Sequence, residues 1–291
     1  MVNFDALWTP LKVISWATHF LMEKGVVEPR LDVEDVMIHT LHLDRLKIYV
    51  QFDHPLKNWE LALIRNHLIR LSKREPFQYV VGFKIFCGFQ FKVSSDVLIP
   101  RPETEHLIEK AVQFLKGIPF EKRKVLDLGT GSGCVPISVR LNVPCKVWSV
   151  DVSQRALKVA RENASFHSIS GDFVWRLGAW FSALEKIDPQ QFSLITCNPP
   201  YLADWERKEL MPEVSEYEPL VALFSGRVGL ESYEDLRKSL WEHLCWGGRA
   251  YFELHENRHG NIQTIFADLP WKRYELTPDH RGRPRVLMLE K

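Results

Sequence analysis

The first eighty residues carry apolar positions at helical spacing. Trp8, Leu11, Ile14, Ala17 and Leu21 form one stripe, which Gly25 and then Val26-Val27 bring to an end. A second stripe, Val33, Val36, Met37 and Leu41, follows Glu28-Pro29-Arg30-Leu31-Asp32. A third, Leu61, Leu63, Ile64, Leu68 and Leu71, predicts a helix over 58–73. Stripes of this kind are the inward faces of a small bundle and call for no cofactor. At Phe83 the period drops to two. Phe83, Ile85, Cys87, Phe89, Phe91 and Val93 alternate with Lys84, Phe86, Gly88, Gln90 and Lys92, which predicts a β-hairpin turning at Cys87-Gly88. Leu98-Ile99-Pro100-Arg101-Pro102-Glu103-Thr104-Glu105 comes next, its two prolines imposing an extended approach. Thr104 or Glu103 is placed to cap a helix over 106–115.

From Lys124 onward strands alternate with helices. Strands are expected at 125–128, 147–150, 172–176, 193–197, 249–254, 274–276 and 286–289, with helices starting near Val135 and spanning 154–164. That alternation predicts an α/β fold with a doubly wound, mostly parallel sheet and right-handed crossovers. The expected plan is a helical domain over 1–82, a hairpin linker over 83–97 and an α/β domain over 98–291.

Composition changes this picture little. The 291 residues allow one large domain or two ordinary ones, and 45% hydrophobic with 26% charged residues is ordinary for a soluble globular chain. A net charge of +1 carries no general signal for nucleic acid or membrane, so any nucleic-acid contact must be local. Cys87, Cys134, Cys145, Cys197 and Cys245 show no C-x-x-C spacing, which favours a reduced, intracellular setting. No apolar run is long enough to span a bilayer, and residues 1–20 lack the pattern of a signal peptide.

The candidate chemistry lies at two strand ends. Phe192 to Cys197 is an apolar, β-branched run that stops at Asn198-Pro199-Pro200-Tyr201. Two prolines cannot continue a central strand, so Asn198 is pinned at its C-terminal end, where open α/β sheets bind ligands. The Asn198 side-chain oxygen and the Pro199 carbonyl are two acceptors in fixed relation, with the Tyr201 ring beside them. They suit a planar NH2 group, in an amide or an exocyclic amine, and aim its nitrogen at an electrophile.

The second strand end is Asp127-Leu128-Gly129-Thr130-Gly131-Ser132-Gly133, a glycine-rich turn opening a helix. The next strand ends at Asp151, 24 residues after Asp127, where an acid can accept the hydroxyls of a ribose. The loop is not a phosphate-cradling P-loop. Val135 and Pro136 stand where a dinucleotide fingerprint has its third glycine, which favours S-adenosylmethionine over a dinucleotide.

With both halves in view, residues 25–291 resemble the PrmC/HemK family of peptide chain release factor N5-glutamine methyltransferases. The likeness rests on EPRLD at 28–32, EPFQYVVG at 75–82, LIPRPETE at 98–105, VLDLGTGSGC at 125–134, WFSAL at 180–184, NPPY at 198–201 and YEPLVAL with SG at 217–226. It implies a class I S-adenosylmethionine-dependent methyltransferase, Rossmann-like, with a seven-stranded mostly parallel sheet, a small N-terminal helical bundle and a β-hairpin linker. By resemblance, Asp127, Gly129, Thr130, Gly131, Ser132, Gly133, Asp151, Trp180 and Asn198 line the cofactor site, with Trp180 near the adenine. Asn198, Pro199, Pro200 and Tyr201, joined by Arg101 and Glu103, hold the substrate glutamine. The N-terminal domain recognises class-1 release factors. A cytoplasmic monomer with no metal, no membrane and no direct nucleic-acid contact is expected. The family usually has an acid where Ala179 stands, and its glycine and glutamine after the fifth strand are replaced by His255 and Arg258. The rival readings are an adenine N6-type methyltransferase acting on nucleic acid, since the same corner holds a flipped base, and a non-catalytic adaptor that binds a translation factor.

Three signals point elsewhere. His255-Glu256-Asn257-Arg258-His259 spells H-E-x-x-H, but it follows directly on a strand and Gly260 is expected to break any helix there, so a loop is preferred to a zinc site. Cys197 has no identifiable histidine partner and reads as a buried thiol. Arg281, Arg283 and Arg285 read as a solvated loop before they read as phosphate ligands.

Overall fold

A computed structural model describes residues 7–185, 188–189, 191–255, 257–279 and 281–291. The chain divides into two compact units, Met1–Gly82 with Met211–Tyr217, and Phe83–Leu210 with Glu218–Lys291.

In the first unit α1 (Pro10–Glu23), α2 (Pro29–Leu41), α3 (Arg45–Val50), α4 (Asn58–Leu71) and α5 (Phe77–Val81) enclose Ala17, Leu21, Val33, Val36, Met37, Ile64 and Leu68. Thr9 caps α1, and Pro10 stands in the first turn, where its missing N–H leaves no bond unmade. The three expected helices are present, with one correction. Leu11 and Leu63, expected in the core, are exposed. Each sits one residue from a buried position, about 100° around its helix. The helices α3 and α5 are too short to show a period.

The second unit opens with the hairpin β1 (Phe83–Phe86) and β2 (Phe89–Lys92). Cys87 (φ 50°) and Gly88 (φ 77°) supply the two left-handed residues that a tight hairpin turn needs. The chain continues through α6 (Glu105–Lys116), β3 (Lys124–Leu128), α7 (Cys134–Asn142), β4 (Lys146–Asp151), α8 (Gln154–Phe166), β5 (Phe173–Leu177) and β6 (Phe192–Cys197). Residues 211–217, with α9 (Pro212–Ser215), belong to the first unit, where Glu213 pairs with Arg74 and the Tyr217 hydroxyl donates to the Lys73 carbonyl. Then follow α10 (Leu220–Leu223), α11 (Glu231–His243), β7 (Leu244–Glu253), α12 (His259–Phe266), β8 (Arg273–Pro278) and β9 (Pro284–Glu290). The hairpin is tied into this unit: Phe86 and Phe91 are buried in its core, and Asn163 of α8 bonds both the N–H (2.7 Å) and the carbonyl (3.0 Å) of Lys92.

The seven later strands form one sheet in the order β5-β4-β3-β6-β7-β9-β8, with β9 running opposite to the other six. Alternate side chains go to opposite faces. Val125, Val147 and Leu194 meet α6 and α7 on one face, while Leu126, Leu128, Ile195, Cys197 and Phe252 meet α11 and α12 on the other. Both faces are covered, as a parallel sheet requires. Chain order reverses direction between β3 and β6, so a crevice opens beyond their carboxyl ends.

The helix α11 is absent from the expected series, because only Tyr233, Leu236 and Leu240 mark its inner face among many charged residues. Gly260 does not break a helix as expected. It lies inside α12, in the first turn, where an N–H has no intrahelical partner to lose. Among the described residues no helix is long and apolar enough to cross a membrane.

Candidate active site

The crevice is a cavity of about 280 Å³, near the lower end of the range for small-molecule sites. Its walls come from the loop after β3, the end of β4, Gly178 and Trp180 after β5, Asn198 and Pro200 after β6, the 98–104 segment and residues 221–224. Register brings the two predicted halves together. Leu128 of β3 pairs with Cys197 of β6, so Gly129 and Asn198 follow side by side on neighbouring strands.

The three loop glycines do different work, although all have positive φ (72°, 55° and 77° for Gly129, Gly131 and Gly133). A Cβ on Gly133 would meet Ile137 Cδ1 at 2.8 Å and Ala160 Cβ at 3.2 Å, so this glycine lets α7 pack on α8. A Cβ on Gly129 would lie 3.6 Å from the Trp180 ring. At Gly131 nothing stands within 4 Å, and the free space is the cavity itself. The loop is held by its own backbone: the N–H groups of Gly129 and Thr130 donate to the Val150 carbonyl at 2.9 and 3.0 Å.

Asp151 closes β4 and faces this loop. Its two oxygens accept the N–H groups of Gly131 and Ser153, each at 2.8 Å, while burial pushes its pKa up. Asp127, fully buried, accepts from the Thr196 hydroxyl at 2.7 Å, and burial lifts its pKa to about 7. Trp180 is held in a left-handed backbone conformation (φ 48°), a strained state for an aromatic residue at a site wall. The features fit an adenosine-bearing ligand without a pyrophosphate: an acid at a strand end, an indole wall and an open glycine turn with no phosphate cradle.

Asn198 lines the cavity and its Nδ2 donates to Thr104 Oγ1 at 3.3 Å. Thr104 does not cap a helix with its side chain, contrary to expectation. A 3₁₀ turn, Pro102–Thr104, runs directly into α6, and the hydroxyl donates instead to Glu253 Oε2 at 2.5 Å. Arg101 also lines the cavity. It pairs with Glu218 (2.5 Å), which also accepts the Ile99 N–H at 3.3 Å and so fastens the 98–101 segment.

Not every predicted residue reaches the cavity wall. Gly133 sits under α7, Pro199 is buried, and Glu103 is half-buried nearby. The Tyr201 ring packs at 5.3 Å against His255, and its carbonyl accepts from Arg258 at 2.9 Å. Arg258 also pairs with Glu206 at 2.5 Å, so this departure from the family pattern serves to hold the loop after Asn198.

Sequence reasoning missed Thr104 and Glu253 as site residues. Glu253 carries the same signal that found Asp151, an acid ending an apolar strand. The other signals fall outside the site. His255 precedes α12 and His259 opens it, so the two do not share a helical face, and Glu256 lies outside the described residues. Cys197 is fully buried, and burial raises its thiol pKa well above the usual value. Arg281 and Arg283 are exposed in the turn before β9, and Arg285 pairs with Asp279 at 3.3 Å.

The profile of the PrmC N-terminal domain matches residues 12–82, and that of the methyltransferase small domain matches residues 104–214. A release factor glutamine methyltransferase from Geobacter sulfurreducens is 40% identical over 99% of this chain and 98% of its own length. The chain belongs to the release factor glutamine methyltransferase family. A second family member, from Leptospira interrogans, is 34% identical over 99% of both chains. Among solved structures, the hMettl16 catalytic domain in complex with MAT2A 3′UTR hairpin 6 superposes with a TM-score of 0.55 at 13% identity, covering 80% of this chain and 82% of that one. At that identity the likeness concerns the fold: a class I, Rossmann-like methyltransferase sheet. The family assignment accounts for the pairing of a helical N-terminal unit with this sheet.

Proposed function

We propose that this protein transfers a methyl group from S-adenosylmethionine to the side-chain amide nitrogen, N5, of the glutamine in the Gly-Gly-Gln motif of class-1 peptide chain release factors. The observation that carries the reading is the pairing of Leu128 with Cys197, which puts the glycine turn and Asn198 at adjacent strand ends in one cavity. S-adenosylmethionine, when bound, supplies an electrophilic methyl group. Asp127, Gly129, Thr130, Gly131, Ser132, Asp151 and Trp180 would hold it, Asp151 at the ribose and Trp180 beside the adenine, while Gly133 lets the helix behind the turn pack closely.

The remaining work falls to the diproline ledge. An amide nitrogen is a poor nucleophile because its lone pair is conjugated with the carbonyl. Asn198 Oδ1 and the Pro199 carbonyl accept its two N–H groups, weaken that conjugation and aim the lone pair into the cavity. Pro200 stiffens the ledge, Tyr201 packs on the amide, and Arg101 and Glu103 shape the glutamine's approach. Rate then comes from orientation and preorganised dipoles. No strong base is needed, because the methylated amide cation is acidic enough to give its proton to water.

The helical unit recognises the release factor, and the protein acts as a cytoplasmic monomer. A net charge of +1 supports a protein substrate over nucleic acid, whose binding rests largely on phosphate contacts. The test is labelled methyl transfer to release factors, RNA and DNA, followed by mapping of the modified atom. Label on the Gly-Gly-Gln glutamine N5 is the expected result. Label on an adenine N6, or the absence of S-adenosylmethionine binding by calorimetry, would overturn the reading.

A further inference from the structure

Asn198 has a symmetric-looking amide, and only one of its two orientations suits the task assigned to it. With Oδ1 toward the substrate, the ledge accepts an N–H. With Nδ2 there, two donors face each other and the substrate amide is repelled. Nothing in the Asn-Pro-Pro-Tyr corner itself selects between the two.

The selection comes from behind. Because Cys197 pairs with Phe252, the next residues along, Asn198 and Glu253, stand at the ends of adjacent strands. Thr104 lies between them: its Oγ1 donates to Glu253 Oε2 at 2.5 Å and accepts from Asn198 Nδ2 at 3.3 Å. Thr104 and Glu253 are each only 2% exposed, so water does not compete for these bonds. An ionised carboxylate can only accept, and a threonine hydroxyl has one hydrogen to give. Once that hydrogen is committed to Glu253, Thr104 can offer Asn198 nothing but a lone pair, and the Asn198 amide must turn its NH2 inward. We propose that Glu253 and Thr104 are positioning residues that fix the orientation of the Asn198 amide, so that its oxygen is presented to the substrate nitrogen. The proposal rests on the reading of Asn198 given above.

Two features of the structure support a dedicated role. Glu253 is a carboxylate buried at the heart of the unit, where an apolar or amide residue would be less costly to accommodate. Its backbone is also fastened, since the Tyr233 hydroxyl donates to the Glu253 carbonyl at 2.8 Å.

The test is the single-turnover rate of methyl transfer to a release factor at pH 8, with saturating S-adenosylmethionine, in T104V, T104S, E253Q, N198A and the double variant N198A/T104V. T104S keeps the hydroxyl and T104V replaces it with a methyl of similar size. The relay requires T104V to lose about tenfold or more, the scale of one oriented hydrogen bond, and E253Q, whose amide can turn either its oxygen or its NH2 to Thr104, to fall between T104V and wild type. It requires T104S to stay within about threefold of wild type, and T104V to cost less than about threefold once Asn198 is already alanine, since coupled residues do not add. Equal losses in T104V and T104S, or the same loss from T104V with and without Asn198, would overturn the relay, because either outcome makes Thr104 a packing residue. Should E253Q fail to fold, as judged by its thermal melt, the threonine pair and the cycle with Asn198 decide. A slow N198A beside a fast T104V overturns the relay alone, whereas a wild-type rate in N198A overturns the reading of Asn198 beneath it.

Discussion

Glycines 131 and 133 lie two positions apart in one loop, yet opposite consequences follow from adding a methyl group to each. Gly133→Ala puts a Cβ at 2.8 Å from Ile137 Cδ1 on a left-handed backbone, and destabilisation of about 1–3 kcal/mol is expected from overpacking. Gly131→Ala meets nothing within 4 Å. Its cost to stability is the smaller backbone penalty of about 1 kcal/mol, and its main effect is to weaken S-adenosylmethionine binding by filling the cavity. Chemical denaturation and calorimetry on the two variants separate the roles. Equal loss of cofactor affinity at unchanged stability would contradict them. Glu253 makes a prediction in pH. Burial raises its pKa to about 7 from an ordinary 4.5, so the folded state binds this proton more tightly than the unfolded chain. The stability it contributes is fully present below the ordinary value and is lost as pH rises through about 7. In urea titrations E253Q should therefore gain on wild type between pH 6 and pH 8, and a constant difference would contradict the assignment. Neither partner of this pair was read from the sequence: Glu253 fell inside a strand expected to run to Leu254, and Thr104, 149 residues away in the chain, looked like a helix cap.

At the scale of elements, the strands were legible because apolar runs ending in Asp151, Asn198 and similar residues announce a sheet edge. Helices were legible where a full stripe repeated, as in α1, α2 and α4, or where the alternation of strand and helix called for one, as in α7 and α8. The helix α11 escaped because most of its residues are polar, even though Tyr233, Leu236 and Leu240 are fully buried and share one sheet face with α12. That coverage has a measurable counterpart. Leu236→Ala, at a fully buried position, should cost about 2–5 kcal/mol. Exposed Leu63→Ala in α4 should cost far less, about 0.5 kcal/mol or below. Denaturant midpoints on the two variants check the assignment of inner and outer faces. No pattern in the chain foretold that β9 would insert between β7 and β8, since strand order depends on pairings that lie far apart in sequence.

For the whole molecule, adjacency is the governing fact. The topological switch between β3 and β6 makes neighbours of a glycine turn and a diproline ledge that are separated by nearly seventy residues, and the proposed chemistry requires only that both face one cavity. The near-neutral net charge predicts that competitor RNA or DNA leaves methylation of a release factor unchanged at physiological salt. Strong inhibition would instead indicate a phosphate-binding face. The most direct test of the account is the methyl-transfer rate of Asn198→Ala, measured in a single turnover with saturating S-adenosylmethionine and a release factor. Losing one oriented hydrogen-bonding group should raise the barrier by about 2–4 kcal/mol, a fall of roughly 30- to 1000-fold. A variant that methylates the glutamine at the wild-type rate would contradict the central claim.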